Sequence, residues 1–249
     1  MNRLPLAALA ASLLAGCAST PQLQSAPATT PTRIDGSDTD WQTDLQPVEG
    51  QTGLSLGVRN DGAALYAVAV VRGEQQVRQA LAGGLTLWLD PDGGKAQAYG
   101  VRFPVVQRER GARPDPSASS ADRLAASTRD LELLRDGEAT GALLPASSAS
   151  GPQAAASVQS GVLVVEYRIP LGDGATALDA AGAEAIGLGL TTPERERPEG
   201  AARGGRGGRG GGGMRGGGGR GGRGGGRPGG DRAERPQPLD VWVRVALAD

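Results

Sequence analysis

Residues 161–171 read GVLVVEYRIPL, and the order of side chains in this stretch decides the class of fold. Leu163, Val165, Tyr167 and Ile169 fall on alternate positions, the period of two that lines one face of an extended strand. The same period recurs upstream. In LSLGVR (54–59) Leu54, Leu56 and Val58 alternate with Ser55, Gly57 and Arg59, and RNDG (59–62) follows with the chemistry of a tight reversal. ALYAVAVV (64–71) is apolar on both faces, as a central strand of a sandwich requires. LTLWLD (85–90) alternates again, PDGGK (91–95) turns, and AYGVRFPV (98–105) returns. AIGLGL (185–190) and VWVRVAL (241–247) complete the set, the latter with Val241, Val243, Val245 and Leu247 in register. Short strands parted by Gly, Asn and Asp turns predict an all-β chain, an antiparallel β-sandwich of the immunoglobulin or jelly-roll kind.

Between these strands the composition changes. Residues 107–130 and 145–160 are rich in Arg, Ser, Ala and Pro and are expected to loop out as disordered insertions. LELL (131–134), RDGE (135–138) and TGALLP (140–145) read as a hairpin. A helix over 121–135 is the competing reading, because ADRLAASTRDLELL is rich in helix formers. A third insertion, 198–238, contains the tract RGGRGGRGGGGMRGGGGRGGRGGGRPGG (203–230). Arg203, Arg206, Arg209, Arg215, Arg220, Arg223 and Arg227 place seven cations there with no acid, so the formal net charge of −1 hides an acidic body with one basic loop. VWVRVAL follows the tract, which makes it an insertion between two strands and not a tail. It is expected to be disordered.

The chain is 249 residues long and only 3% aromatic, so its core is built from Leu, Val, Ile and Ala. It has no histidine, which removes the commonest general base and the commonest metal ligand together. Lys95 is the one lysine and Cys17 the one cysteine, so no disulfide can form within the chain.

That cysteine sits in an informative place. The chain opens MNRLPLAALAASLLAGC, with Arg3 before an apolar run from Leu4 to Leu14 and small residues before Cys17. The run is shorter than the roughly 20 apolar residues of a transmembrane helix and suits the core of a signal peptide. Leu14, Ala15, Gly16 and Cys17 resemble the lipobox of bacterial lipoproteins. That resemblance implies cleavage after residue 16, a diacylglycerol thioether on Cys17 and acylation of its new amino group. Several acyl chains on one residue suffice for stable anchoring. Ala18 in place of Asp implies an outer-membrane rather than inner-membrane destination, with the chain facing the periplasm. Residues 17–33 are then expected to be a flexible tether and 34–249 the folded domain.

IDGSDTDW (34–41), VRNDGAALYAVAVV (58–71), LTLWLDPDGGK (85–95), VEYRIPL (165–171) and AIGLGL (185–190) stand in an order that resembles carbohydrate-binding module family 9 and its DOMON-like relatives. Over residues 34–247, with gaps, the resemblance implies a β-sandwich that binds carbohydrate and catalyses nothing. Sugar-binding members of the family clamp the sugar between two exposed rings. Here the loop before the 85–90 strand, RQALAGG (78–84), has no aromatic residue, and the Arg–Gly tract replaces the loop before the last strand. Neither clamp residue carries over. Trp41, Tyr66, Trp88, Tyr99, Phe103, Tyr167 and Trp242 are read as core filling in preference to a sugar platform.

Other motifs fail on chemistry. GLSLG (53–57) matches the hydrolase nucleophile elbow, but that elbow needs a strand-to-helix turn and a histidine. Asp35, Asp38 and Asp40, and likewise Asp90 and Asp92, lack the spacing of a calcium loop, and turn chemistry accounts for both groups. An enzyme built on Asp90 or Glu166 would need a carboxylate partner about 5–9.5 Å away. A haem domain lacks its usual histidine ligand. No metal, no cofactor and no catalytic residue is therefore expected. Behind an export signal the arginine tract meets little RNA, and it carries no Phe or Tyr for base stacking. The expected partners are the membrane, through the lipid, and a ligand of the sandwich, a carbohydrate or an anionic envelope polymer, with no binding residue assigned to it. The alternative is an assembly lipoprotein whose arginines contact anionic envelope polymers.

Overall fold

The alternating segments stack into two sheets. A computed structural model of the protein describes residues 20–30, 32–105, 119–125, 127–180, 182–193 and 238–248. The larger sheet has seven strands in the order β1 (Gln22–Gln24), β13 (Asp240–Ala246), β12 (Ala185–Thr191), β6 (Leu85–Asp90), β7 (Tyr99–Phe103), β8 (Asp130–Arg135) and β9 (Glu138–Pro145). The smaller runs β10 (Gln153–Gln159), β11 (Val162–Pro170), β5 (Ala64–Val71), β4 (Leu54–Asn60) and β2 (Ala26–Pro27), with β3 (Gln46–Pro47) also on β4. Helix α1 (Glu74–Gly83) joins β5 to β6, and α2 (Ser120–Ala125) precedes β8.

The two-residue period builds the core. Leu163, Val165, Tyr167 and Ile169 of β11 face Leu85, Leu87 and Leu89 of β6 and Val241, Val243 and Val245 of β13 in one buried cluster. Tyr167 ties the layers together: its hydroxyl donates to the carbonyl of Leu85 at 3.1 Å, with the carbonyl of Phe103 at 3.4 Å. Burial pushes that hydroxyl far above the ordinary tyrosine range, so it remains a donor.

The other face of the smaller sheet is covered as well. Tyr66, Val68 and Val70 of β5 and Val164 of β11 form a second buried cluster with Trp41, against which Ala28, Ile34 and Leu45 pack. Trp41 sits in a turn of 3-10 helix at Thr39–Trp41 and is fully buried. What fixes it is Glu166 of β11, itself 0% exposed. One carboxylate oxygen accepts the Trp41 indole N–H at 2.6 Å. The other accepts the main-chain N–H groups of Asp35 at 2.8 Å, Gly36 at 2.5 Å and Ser37 at 3.3 Å. Gly36 has φ +79, and a side chain there would strike the backbone of Ala156. Arg59 lies over the indole, 4.3 Å from its centroid, and pairs with Asp44 at 2.6 Å. Three segments that carry the family resemblance, 34–41, 58–71 and 165–171, thus meet in one cluster.

The β8–β9 hairpin forms as expected around Asp136 (φ 50) and Gly137 (φ 81), the paired positive angles of a tight hairpin turn. The competing helix is realised only over α2, which lies inside the stretch 107–130 expected to be a disordered loop and buries Leu124. Four expectations are corrected. Residues 22–24 and 26–27, expected in a flexible tether, are strands, because Leu23 is buried and the backbone finds two free sheet edges. Both pairs are parallel, whereas the other pairs between the described strands are antiparallel. Residues 153–159, expected in a disordered loop, pair with β11 across a second tight turn at Ser160 (φ 50) and Gly161 (φ 79). Residues 78–83, expected in a loop, belong to α1, which buries Val77, Ala80 and Leu81 and ends at Gly84 with φ +87. Residues 107–118, and all of 198–238 but Pro238, lie outside the described residues.

Removing the indole donor by Trp41→Phe should cost about 1–3 kcal/mol in urea unfolding, the penalty of leaving one oxygen of a buried carboxyl unpaired. The pH dependence has a definite sign. Burial raises the Glu166 carboxyl above its ordinary range, against the pull of its N–H donors, so the folded chain holds that proton more tightly than the unfolded one. The stability of the wild type relative to Glu166→Gln should therefore fall as pH rises from about 4.3. Urea titrations at several pH values measure it.

Candidate functional site

With the outer face of the smaller sheet covered, the outer face of the larger one is the candidate surface. Strand register arranges its side chains in rows. Asp240, Thr191, Thr86, Arg102 and Glu132 are cross-strand partners in sequence from β13 to β8, giving a polar row. Two residues further along each strand lies a second row: Trp242, Gly189, Trp88, Gly100 and Leu134. Partners in register share a face, and rows two residues apart are about 6.6 Å from one another.

The polar row is internally bonded. Arg102 donates from Nη1 to Glu132 at 2.7 Å and from Nε to the Thr86 hydroxyl at 3.3 Å. The Trp88 indole N–H donates to the Thr191 hydroxyl at 3.0 Å, which links the two rows. A hydroxyl that accepts one such bond still has a proton to donate. Asp240 is exposed at the end of the row.

In the second row, glycine lets the indoles lie down. A side chain at Gly100 would occupy the place of the Trp88 ring, and one at Gly189 would come within 2.7 Å of the Trp242 ring. The rings therefore lean the same way, each over the glycine of the neighbouring strand. They differ in exposure: Trp88 is 4% exposed, whereas Trp242 is only partly buried. Trp41, Tyr66, Tyr99, Phe103 and Tyr167 are buried as core filling, and Trp242 is the exception to that expectation. The signal in the sequence was its position in VWVRVAL: Val241, Val243 and Val245 point inward, which turns Trp242 outward.

The carboxylates take other roles. Asp90 is 3% exposed and caps the following turn, accepting the N–H groups of Asp92 at 3.0 Å and Ala96 at 2.7 Å. It lies on the larger sheet and Glu166 on the smaller, each with its oxygens occupied by N–H donors. Asp35 accepts the N–H of Ser37 at 3.0 Å. Among the described residues no group of three or more Asp, Glu or Cys side chains could hold a metal ion. Ser55 of the GLSLG motif lies within β4, with Arg72 donating to its hydroxyl at 3.1 Å. Leu14, Ala15, Gly16 and Cys17, and the seven arginines from Arg203 to Arg227, lie outside the described residues. The strands on either side of the arginine tract are nonetheless joined at its base. Thr192 N–H donates to the Leu239 carbonyl and Leu239 N–H to the Thr192 hydroxyl, both at 2.9 Å.

No protein-family model matches the chain, and no curated protein matches it. Among solved structures, the chain is similar to a carbohydrate-binding module family 9 protein from Caldicellulosiruptor kristjanssonii in complex with glucose. The identity is 12%, over 71% of this chain and 78% of that one, with a TM-score of 0.37. It is also similar to a family 9 module from the same organism in complex with cellotriose, at 14% identity over 71% and 77% of the two chains, with a TM-score of 0.32.

Proposed function

We propose that the protein is a lipid-anchored cell-envelope protein whose sandwich binds carbohydrate on the outer face of the seven-stranded sheet, without catalysing a reaction. The observation that carries the binding reading is Trp242, a partly exposed indole laid flat against the sheet with Asp240 and Thr191 in register beside it. An indole face accepts the C–H face of a sugar ring, while a carboxylate and a hydroxyl about one residue pair away meet its hydroxyl groups. Nothing in that arrangement pairs an acid with a base across a scissile bond. The anchoring reading rests on Leu14-Ala15-Gly16-Cys17 after a short apolar run, and its destination is the periplasmic side of the outer membrane.

Titrating the mature protein with a panel of neutral and acidic saccharides tests the site. A saturable calorimetric signal is expected with at least one of them. Trp242→Ala should weaken it about tenfold or more while leaving the far-ultraviolet dichroism unchanged. A panel without any binder, or a binder indifferent to Trp242→Ala, rejects this face. For the anchor, Cys17→Ser should shift the protein from the detergent-extracted membrane fraction to the soluble one.

A further inference from the structure

The outer face of β13 continues past Trp242. Asp240, Trp242 and Arg244 alternate with the buried Val241, Val243 and Val245, so the three share that face, with an anion on one side of the indole and a cation on the other. Arg244 heads a third row: its partner on β12 is Gly187, whose partner on β6 is Asp90.

This row is built differently from the first two. The turn at 91–95 folds back over the sheet, and the Gly94 carbonyl stands where a side chain at Gly187 would be. Arg244 reaches across to that turn and donates from Nη1 to the Gly93 carbonyl at 2.9 Å. Gly93 has φ +72, and a side chain there would strike the guanidinium. Two glycines and a carbonyl thus hold the arginine in place while it stays exposed. Arg59, Arg78 and Arg102 are each paired with a carboxylate. Among the described residues Arg244 has no such partner, and its Nη2 group makes no hydrogen bond. Asp90 is turned to its own N–H donors, those of Asp92 and Ala96. Asp92 and Lys95, both exposed in the turn, carry one charge of each sign. Gln22 of β1, exposed opposite Arg244, adds an amide.

A guanidinium held in place with part of its fork unspent suits a carboxylate, whose two oxygens match the planar N–H donors. The Arg244 row lies about 6.6 Å from the indole row, within reach of a substituent on a sugar ring that covers the indole. Asp240 lies on the other side, about 13 Å along the strand from Arg244, beyond the Debye length of about 8 Å in physiological salt. Its charge therefore does not cancel that of Arg244, and with Thr191 it is left to meet ring hydroxyls.

We propose that the sugar taken on Trp242 is an acidic one, a hexuronic acid unit whose carboxylate is held by the Arg244 guanidinium. The proposal rests on the carbohydrate reading of this face given above and names the class of sugar.

Calorimetric titrations of the mature protein with matched methyl glycosides test it, each pair differing only at C6: glucuronide against glucoside, galacturonide against galactoside, mannuronide against mannoside. In at least one pair the uronide should bind about fivefold tighter or more. That margin should shrink as salt rises from roughly 0.05 to 0.5 M. Arg244→Gln should bring the two affinities of that pair together, and Arg244→Lys, which keeps the charge without the fork, should fall between. Urea midpoints check that both variants fold, and the salt response of the wild type needs neither. Neutral glycosides that bind as tightly as their uronides in every pair, or a uronide preference that survives Arg244→Gln or high salt, overturn the acidic ligand while the carbohydrate reading stands. No Trp242-dependent binding by any of these glycosides sinks both.

Discussion

A carboxylate taken out of water costs several kcal/mol unless donors replace the water it has lost. Glu166 meets that demand with an indole N–H and three consecutive main-chain N–H groups, and the arrangement of the smaller sheet follows from it. Those four donors all belong to residues 35–41, so satisfying the carboxylate pulls that segment across the outer face of β5 and β11. Tyr66, Val68 and Val70 are then as dry as the residues facing the core. This is why ALYAVAVV needs no polar alternation. On the larger sheet the outer face is dry at Thr86, Trp88 and Leu134 as well, and opens towards β13, where Trp242 is partly buried and Asp240 exposed.

On that face, absence of side chains matters as much as their presence. Gly100 and Gly189 each leave a flat patch on which the indole of the neighbouring strand lies. A ring lying down presents its face and not its edge. The same geometry hides Trp88 in the middle of the sheet and leaves Trp242 partly uncovered towards the side.

The central strands were legible because Leu, Val and Ile at every second position have one low-energy solution, and Asp136-Gly137 names its own turn. What was not legible fails for separate physical reasons. The strand QAAASVQ (153–159) is built from alanine, which has little strand preference, so only its pairing with β11 reveals it. Strands β1 and β2 contribute a single buried apolar side chain, Leu23, and are held by parallel pairs to residues about 222 and 33 positions away. Helix α1 was within reach: Val77, Ala80 and Leu81 have helical spacing, and Ala82-Gly83-Gly84 ends it in the usual way. The union of Glu166 with Trp41 spans 125 positions, and each residue read alone gave no hint of the other. At the candidate site, Trp242 could be turned outward from its strand pattern, but its neighbours Thr191 and Asp240 emerge only from register.

The two bonds between Thr192 and Leu239 have an evolutionary consequence. They finish the β12–β13 ladder on their own account, so the closure entropy of whatever joins residues 193 and 238 grows only with the logarithm of its length. Such a junction is a natural grafting point, where a lineage can lengthen, shorten or exchange a connecting segment while the ladder beneath keeps its register. Kinship between this chain and others is therefore better traced through paired strands on either side of that junction than through overall length or composition, which the graft alone can transform.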